Sequence, residues 1–158
     1  MVLYLTDLVY YSRIKTEEFE EVAVIFITRE CDYAVRVIRA LADGSRKSVK
    51  EICDEENIPQ PFAYKILKRL EQGGVIKIYR GQKGGYELNE SLDRLTLYDI
   101  VFTMDVELFI NECVRGDFEC SQNTPGAPCK VHGEFNRLQT LLVDALQEKT
   151  LAQIFVEA

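Results

Sequence analysis

From Thr28 onward, apolar residues recur at the three- and four-residue spacing of amphipathic helices. Thr28 has the hydroxyl of an N-cap, and Asp43-Gly44 has the residue types that end a helix. The pattern therefore predicts a first helix between these positions. Its apolar face would consist of Ala34, Val35, Ile38, Leu41 and Ala42.

Two shorter helices are predicted next. Ser48 and Glu51 form a capping box that opens a helix through Glu56, and the following three residues predict a tight turn. Residues 60–70 predict a second helix, which Gly73-Gly74 stops. Two short helices joined by a tight turn, the second more basic, are typical of a helix-turn-helix. The buried stripe of the second helix would consist of Phe62, Ile66, Leu67 and Leu70.

Residues 75–88 predict a β-hairpin with a glycine-rich turn at 81–85. A hairpin directly after a recognition-type helix is a wing. Its glycines let the backbone approach phosphates, while Arg80 and Lys83 supply positive charge. The predicted fold is mainly α with one small β-hairpin, a winged helix-turn-helix.

A capping pair, Thr96 and Asp99, predicts a further helix whose apolar face covers the winged helix. Near the C-terminus, apolar residues recur over more than three helical turns. Such a stripe could fold back on its own domain, but a two-fold partner is the preferred interpretation, since helix-turn-helix proteins read paired half-sites as dimers. The predicted interface consists of Phe135, Leu138, Leu141, Leu142, Ala145 and Leu146.

These patterns divide the chain into four parts. Residues 1–26 show no clear period and are treated as an N-terminal extension of unknown role. A winged helix-turn-helix domain covers 27–106, a cysteine-rich loop covers 107–132, and a dimerisation helix with the C-terminal tail covers 133–158. No apolar run approaches the roughly 18 residues of a membrane span, and the start lacks a signal peptide. We therefore expect a cytoplasmic protein without a membrane partner.

The net charge of −7 conceals a basic segment. Between residues 59 and 86, six basic residues face only one acidic residue. One basic face on an acidic body can bind a phosphate backbone, so the charge distribution is compatible with double-stranded DNA as a partner.

The five cysteines fall into two groups. Cys31 and Cys53 lie within helical patterns, where a buried thiol acts as a small hydrophobic side chain. Cys113, Cys120 and Cys129 lie in a polar loop that contains glycine and proline, together with His132, the single histidine. This clustering is typical of a metal or iron–sulfur site rather than of disulfides.

The chain resembles a family of winged-helix regulators that includes the iron–sulfur regulator IscR, the nitric-oxide sensor NsrR and the cysteine-metabolism repressor CymR. The resemblance rests on residues 27–36, on residues 58–67 and on the wing at 80–86, and the cysteine loop falls where cluster-binding members carry theirs. It implies a homodimer whose recognition helices enter successive major grooves, while wings follow the minor grooves and the C-terminal helices cross.

The resemblance also implies which side chains meet DNA. Gln60 could pair with adenine, and Tyr64 or Lys65 could reach a base or a phosphate. Lys68, Arg69, Arg80 and Lys83 are expected to anchor phosphates. The full predicted DNA surface consists of Gln60, Pro61, Phe62, Tyr64, Lys65, Lys68, Arg69, Arg80, Lys83, Gly84, Gly85 and Tyr86.

Three thiols leave a cluster one protein ligand short, and the spacing C-x6-C-x8-C-x2-H offers His132 as the fourth. The resemblance also offers a carboxylate from the partner's first helix as an alternative fourth ligand, and Asp32 has the matching position. A 2Fe-2S cluster is preferred over 4Fe-4S. The expected function is a DNA-binding regulator, a repressor, whose operator affinity follows iron–sulfur, redox or nitric-oxide status.

Other interpretations stay open. Three cysteines and one histidine could form a structural zinc site, or the thiols could act as a metal-free redox switch in sulfur metabolism. A Cys–His enzyme is disfavoured because no orienting side chain stands out, so the chain is not expected to be an enzyme. A remote alternative is a winged-helix adaptor that binds other proteins.

Overall fold

The computed structural model describes residues 27–81, 84–104 and 107–156. The predicted extension at 1–26 lies outside the described residues. The described residues form six α-helices, one antiparallel hairpin and a single 3-10 turn at Glu112–Val114. The elements are α1 (Arg29–Ala40), α2 (Val49–Glu56), α3 (Gln60–Gln72), β1 (Ile76–Tyr79), β2 (Gly85–Leu88), α4 (Leu97–Thr103), α5 (Lys130–Gln147) and α6 (Leu151–Val156).

The predicted helix starts are confirmed. The Thr28 hydroxyl accepts from the backbone N–H of Cys31, at 3.3 Å. Ser48 and Thr96 each form the reciprocal capping box with the acidic residue three positions on. Because each cap joins residues within one turn, the local sequence suffices to place it. The first helix ends at Ala40, slightly earlier than predicted, and a turn carries the chain to Gly44, whose φ is 74°.

The core lies where α1 packs against α3, with α2 and α4 on either side. Ala63, Ile66, Leu67 and Leu70 line the buried face of α3. The prediction that Phe62 is buried was wrong, since 49% of this residue is exposed. Ala63 occupies the buried position instead, and the Phe62 ring lies at the edge of the helix, 5.9 Å from the ring of Tyr33.

The hairpin is the predicted wing, with Ile76 opposite Leu88 and Tyr79 opposite Gly85. It is fixed to the body by backbone hydrogen bonds between Lys47 and Tyr86 in both directions, at 3.0 and 2.8 Å. A Cβ at Gly85 would lie 2.7 Å from the carbonyl oxygen of Lys47, so this close approach requires glycine.

The last helix, α6, was not predicted. Leu151 is fully buried in the core, and its N–H donates to the carbonyl of Leu95 at 2.7 Å. Thr150 and Gln153 form hydrogen bonds in the pattern of a capping box, which is a sequence signal that could have revealed this helix. None of the helices in the described ranges is long and apolar enough to cross a membrane.

Candidate DNA interface and thiol loop

The outer face of α3 carries most of the predicted base-reading residues. Gln60 and Pro61 are exposed in its first turn, and Tyr64 is 57% exposed one turn later. Lys68 lies on the same face and has no ion pair among the described residues. The exposed apolar rings of Phe62 and Tyr64 need a covering surface, and the edges of bases, including the thymine methyl, offer one.

Two other cations of α3, the exposed Lys65 and the half-buried Arg69, are paired within the chain. Glu30 of α1 accepts a short hydrogen bond from the Lys65 ammonium and a second, 2.9 Å long, from Nη1 of Arg69. The hydrogen bond from Lys65, followed by the charges of both cations, lowers the pKa of Glu30. Arg69 Nη1 also donates to the carbonyl of Met104 at 2.9 Å. The sequence predicts that both cations contact DNA. Within the chain, Lys65 pairs with α1, and Arg69 pairs with α1 and with the end of α4.

The wing presents a further part of the predicted surface. Arg80 is exposed, whereas Lys83 lies outside the described residues. A Cβ at Gly84 would lie 2.4 Å from the carbonyl oxygen of Tyr79, so the two strands approach closely at this glycine. Tyr86 is half-buried, and burial raises the pKa of its hydroxyl. Its ring therefore supports the wing from the inside.

The three loop thiols are free and half-buried, in contrast to the buried Cys31 and Cys53. Each loop thiol lies beside an asparagine that shapes the backbone. Asn111 accepts from the N–H of Cys113 at 3.0 Å. Asn123 donates its N–H to the carbonyl of Cys120 at 3.0 Å, and its side chain accepts from the N–H of Cys129 at 2.9 Å. The segment from Cys120 to Cys129 is thus closed on itself without a helix, as predicted.

His132 lies in the first turn of α5, one turn after Cys129, which is the N-cap of that helix. Its Nε2 lies 2.7 Å from Nδ2 of Asn136, and its Nδ1 is buried without a hydrogen-bond partner. If the Asn136 amide is turned so that its oxygen accepts from Nε2–H, the Nδ1 lone pair is free to bind a metal. The donor chemistry therefore fits an iron–sulfur centre.

Asp32, the alternative fourth ligand, is engaged within its own chain. Its carboxylate lies 3.0 Å from Arg29 and 3.1 Å from Arg36. Oδ2 is buried and lacks a well-directed hydrogen bond, although the Arg29 guanidinium is close. Across the described residues, no group of three or more Cys, His, Asp or Glu side chains is arranged to hold a metal ion. The structure does not bring the predicted ligands together as a closed site.

The loop is anchored to α5 by a residue that sequence reasoning missed. The side-chain amide of Gln139 accepts from the N–H of Ile110 at 3.0 Å and donates to the carbonyl of Leu108 at 2.8 Å. A lone glutamine on a helix carries no sequence signal for such a role. Arg115 instead ties parts of the loop to each other, since it pairs with Glu107 and Asp117.

The apolar residues of α5 divide between two faces. Leu146 is buried within its own chain, and Phe135 and Leu142 are half-buried. Leu138 and Leu141 are 40% and 51% exposed, and Ala145 is also exposed. The inner face packs on the winged helix, whereas the outer face points to solvent in a single chain.

Solved structures with this fold are winged-helix regulators. CymR of B. subtilis, the global cysteine regulator, superposes with a TM-score of 0.69 at 20% identity, over 85% of this chain and 99% of that one. IscR of T. potens superposes with a TM-score of 0.61 at 18% identity, over 87% of this chain and 88% of that one. These likenesses confirm the predicted fold class.

Sequence relatives carry names of the same kind. A protein named as an HTH-type transcriptional regulator of Aquifex aeolicus is 27% identical over 124 residues, covering 77% of this chain and 85% of that protein. Another, slr0846 of Synechocystis, is 34% identical over 85 residues, covering 52% of this chain and 58% of that protein. The match to slr0846 therefore spans less than two thirds of that relative.

The family comparison covers most of the chain. The family described as "Rrf2: Iron-dependent Transcriptional regulator" matches residues 27–157, and the match begins at the residue where the sequence resemblance begins. With the winged helix, the exposed face of α3 and the wing in place, the chain belongs to the Rrf2 family of transcriptional regulators.

Proposed function

We propose that this protein binds operator DNA as a homodimer and that a 2Fe-2S cluster, held by the three loop thiols and His132, sets its operator affinity. The observation that carries the proposal is the buried, unpartnered Nδ1 of His132, one helical turn after Cys129. A buried polar atom without a partner is costly, and metal coordination would satisfy it.

DNA binding is supported by the outer face of α3 and by the wing. Gln60 and Tyr64 are exposed in the first two turns of α3 and are our candidates for base contacts. Lys68 and Arg80 are exposed cations on the same two elements and are our candidates for phosphate contacts.

Dimerisation is supported by apolar surface that a single chain leaves uncovered. Leu138, Leu141 and Ala145 form the outer stripe of α5. Phe102 of α4 is 71% exposed beside a groove of about 600 Å³ between α4 and α5. Surface of this kind marks an interaction site, and a two-fold partner would cover it on both protomers at once.

The loop is well placed to link cluster and DNA. Along the chain it joins α4, which packs on the winged helix, to α5, which carries the outer stripe. Gln139 ties the start of the loop to the middle of α5. When bound, the cluster would supply a redox couple and an iron–sulfide centre open to oxidants or nitric oxide. The ordering of the loop would fix the angle between the two winged helices, on which half-site spacing depends.

The first experiment is purification without oxygen, followed by visible absorption and iron analysis. We expect a coloured protein with thiolate-to-iron bands and about two iron atoms per chain. Cys120→Ala should lose the bands, whereas Cys53→Ala, which removes a buried thiol outside the loop, should keep them. A colourless, iron-free preparation would contradict the cluster.

The second experiment is operator binding by the loaded wild-type protein and by Cys120→Ala. We expect different affinities and a different preference among operator sequences. Equal binding by both forms would remove the cluster from the regulation. His132→Ala and Asp32→Ala decide the fourth ligand, since only the variant that lacks the true ligand should lose the bands.

A second candidate function is a regulator with metal-free thiols or with zinc. The metal-free form is favoured by one observation, that no group of side chains within the described ranges is arranged to hold a metal ion. Zinc would give a colourless protein with one metal per chain, and its removal would unfold the loop. A thiol switch would contain no metal, and its DNA affinity would change when the loop thiols are oxidised.

A further inference from the structure

Arg69 lies at the meeting point of three helices. It belongs to the last turns of α3, and its side chain is 28% exposed. Its Nη1 donates to Glu30 of α1 and to the carbonyl of Met104 at the end of α4, both at 2.9 Å. Both hydrogens of that nitrogen are therefore used within the protein.

A second contact fixes the same two helices. A Cβ at Gly73, just after α3, would lie 2.5 Å from Cγ2 of Thr103. The end of α3 therefore contacts the end of α4 so closely that a larger residue at position 73 would force the Thr103 side chain to shift. Close-packed contacts of this kind transmit strain between elements.

Met104 connects the Arg69 contact to the thiol loop. Met104 is the C-cap of α4, and the chain then continues to the thiol loop at 107–132. At the Met104 carbonyl, the Arg69 guanidinium on the recognition helix contacts the segment that leads into the loop.

We propose that Arg69 is a positioning residue, which holds the recognition helix to the entrance of the thiol loop and does not bind phosphate. The regulatory part of this inference rests on the proposed function. The two hydrogens of Arg69 Nη1 are donated to the Met104 carbonyl and the Glu30 carboxylate, so drawing the guanidinium outward to a phosphate would leave these acceptors unpaired, which is costly. Lys68, the neighbouring exposed cation, has no such partners among the described residues and is the natural contrast.

The first test uses cluster-free protein and measures how DNA affinity depends on salt, for Arg69→Met and Lys68→Met. Each lost phosphate contact makes the slope of log K against log[salt] shallower by about 0.9. We expect that change for Lys68→Met and an unchanged slope for Arg69→Met. An equal loss in both variants would identify Arg69 as a phosphate anchor and overturn the inference.

The second test measures coupling. Typical allosteric coupling changes affinity about 5- to 150-fold, and we expect the ratio of operator affinities between loaded and cluster-free wild-type protein to lie in this range. In Arg69→Met the ratio should fall to within about twofold of 1, while Lys68→Met keeps it. An unchanged ratio in Arg69→Met would refute the positioning role. If the wild-type ratio is already 1, the proposed function fails, and the salt test still decides whether Arg69 binds phosphate.

A third measurement needs no substitution and covers the case in which Arg69→Met does not fold. Phenylglyoxal modifies accessible arginines, and mass spectrometry locates the products. Arg80 should react in the free protein and be protected by operator DNA, whereas Arg69 should react slowly in both states. Strong modification of Arg69 that DNA suppresses would place it at the phosphates.

Discussion

Burial separates the five cysteines into two classes of reactivity. Cys31 is 1% exposed and Cys53 is 7% exposed, whereas the three loop thiols are half-buried. Burial, followed by the nearby charge of Asp54, raises the pKa of the Cys53 thiol. Because the thiolate is the reactive form, Cys53 should be the least nucleophilic at neutral pH.

We therefore predict that iodoacetamide at neutral pH labels Cys113, Cys120 and Cys129 well before Cys31 and Cys53. Quantitative peptide mass spectrometry over time would measure the five rates. In denaturant the rates should converge, because burial is then lost. Comparable labelling of Cys53 and the loop thiols in the native protein would contradict the burial argument.

Glu30 pairs with two of the cations of α3. Its carboxylate binds both Lys65 and Arg69. Because the carboxylate neutralises the Lys65 ammonium, this ion pair attracts a phosphate only weakly. We predict that Glu30→Gln releases Lys65 and steepens the salt dependence of DNA binding by about 0.9. Glu134→Gln, which breaks the exposed pair with Arg137 on α5, is the control and should leave the slope unchanged.

The Glu30 contacts also mark what the sequence could not reveal. The caps at Thr28, Ser48 and Thr96 were predictable because each involves residues within one turn. Lys65 and Arg69 meet Glu30 across 35 and 39 residues, and a single sequence does not show which distant carboxylate will face them. The donor residues of the thiol loop were visible as a cluster in sequence, whereas their arrangement in space was not.

At the scale of elements, the thiol loop depends on α5 for its position. The side-chain amide of Gln139 forms two hydrogen bonds with the backbone of residues 108–110. Phe109 lies beside these bonds and contacts the Arg115 guanidinium, whose carbon is 5.8 Å from the ring centre. The entrance of the loop is therefore held by α5 and by Arg115.

We predict that Gln139→Leu loosens this entrance and accelerates alkylation of Cys113 in the cluster-free protein. The loss of two partly buried hydrogen bonds should lower the free energy of unfolding by about 1–3 kcal/mol, measured by urea denaturation. Gln147→Leu, an exposed substitution on the same helix, should change neither quantity. Unchanged alkylation in Gln139→Leu would show that the clamp does not control the loop.

At the scale of the whole molecule, α5 has two tasks on two faces. Its inner face contacts α4, with Leu146 buried within the chain, and its outer face carries Leu138 and Leu141. The sequence predicted one broad stripe, because a period of three and four residues does not separate adjacent faces of a helix. The fold divides that stripe between the chain itself and the proposed partner.

We predict that Leu138→Glu converts the dimer to a monomer and weakens operator binding, since a buried unpaired carboxylate is costly at an apolar interface. Thr140→Glu introduces the same charge on a different side of α5 and should keep the dimer. Sedimentation velocity would measure both. A Leu138→Glu protein that remains dimeric would exclude this face as the interface.

The return of the chain through α6 limits how α5 can move. Leu151 is buried in the core, and its N–H donates to the carbonyl of Leu95. The chain that follows the far end of α5 is therefore fixed to the winged helix. The near end leaves the thiol loop. Because the far end is fixed, a rearrangement of the loop would tilt α5 about α6 and would not separate α5 from the winged helix. α5 would then pivot about Leu151, so a shift at the thiols would be largest at the near end of α5 and would decrease toward Leu151.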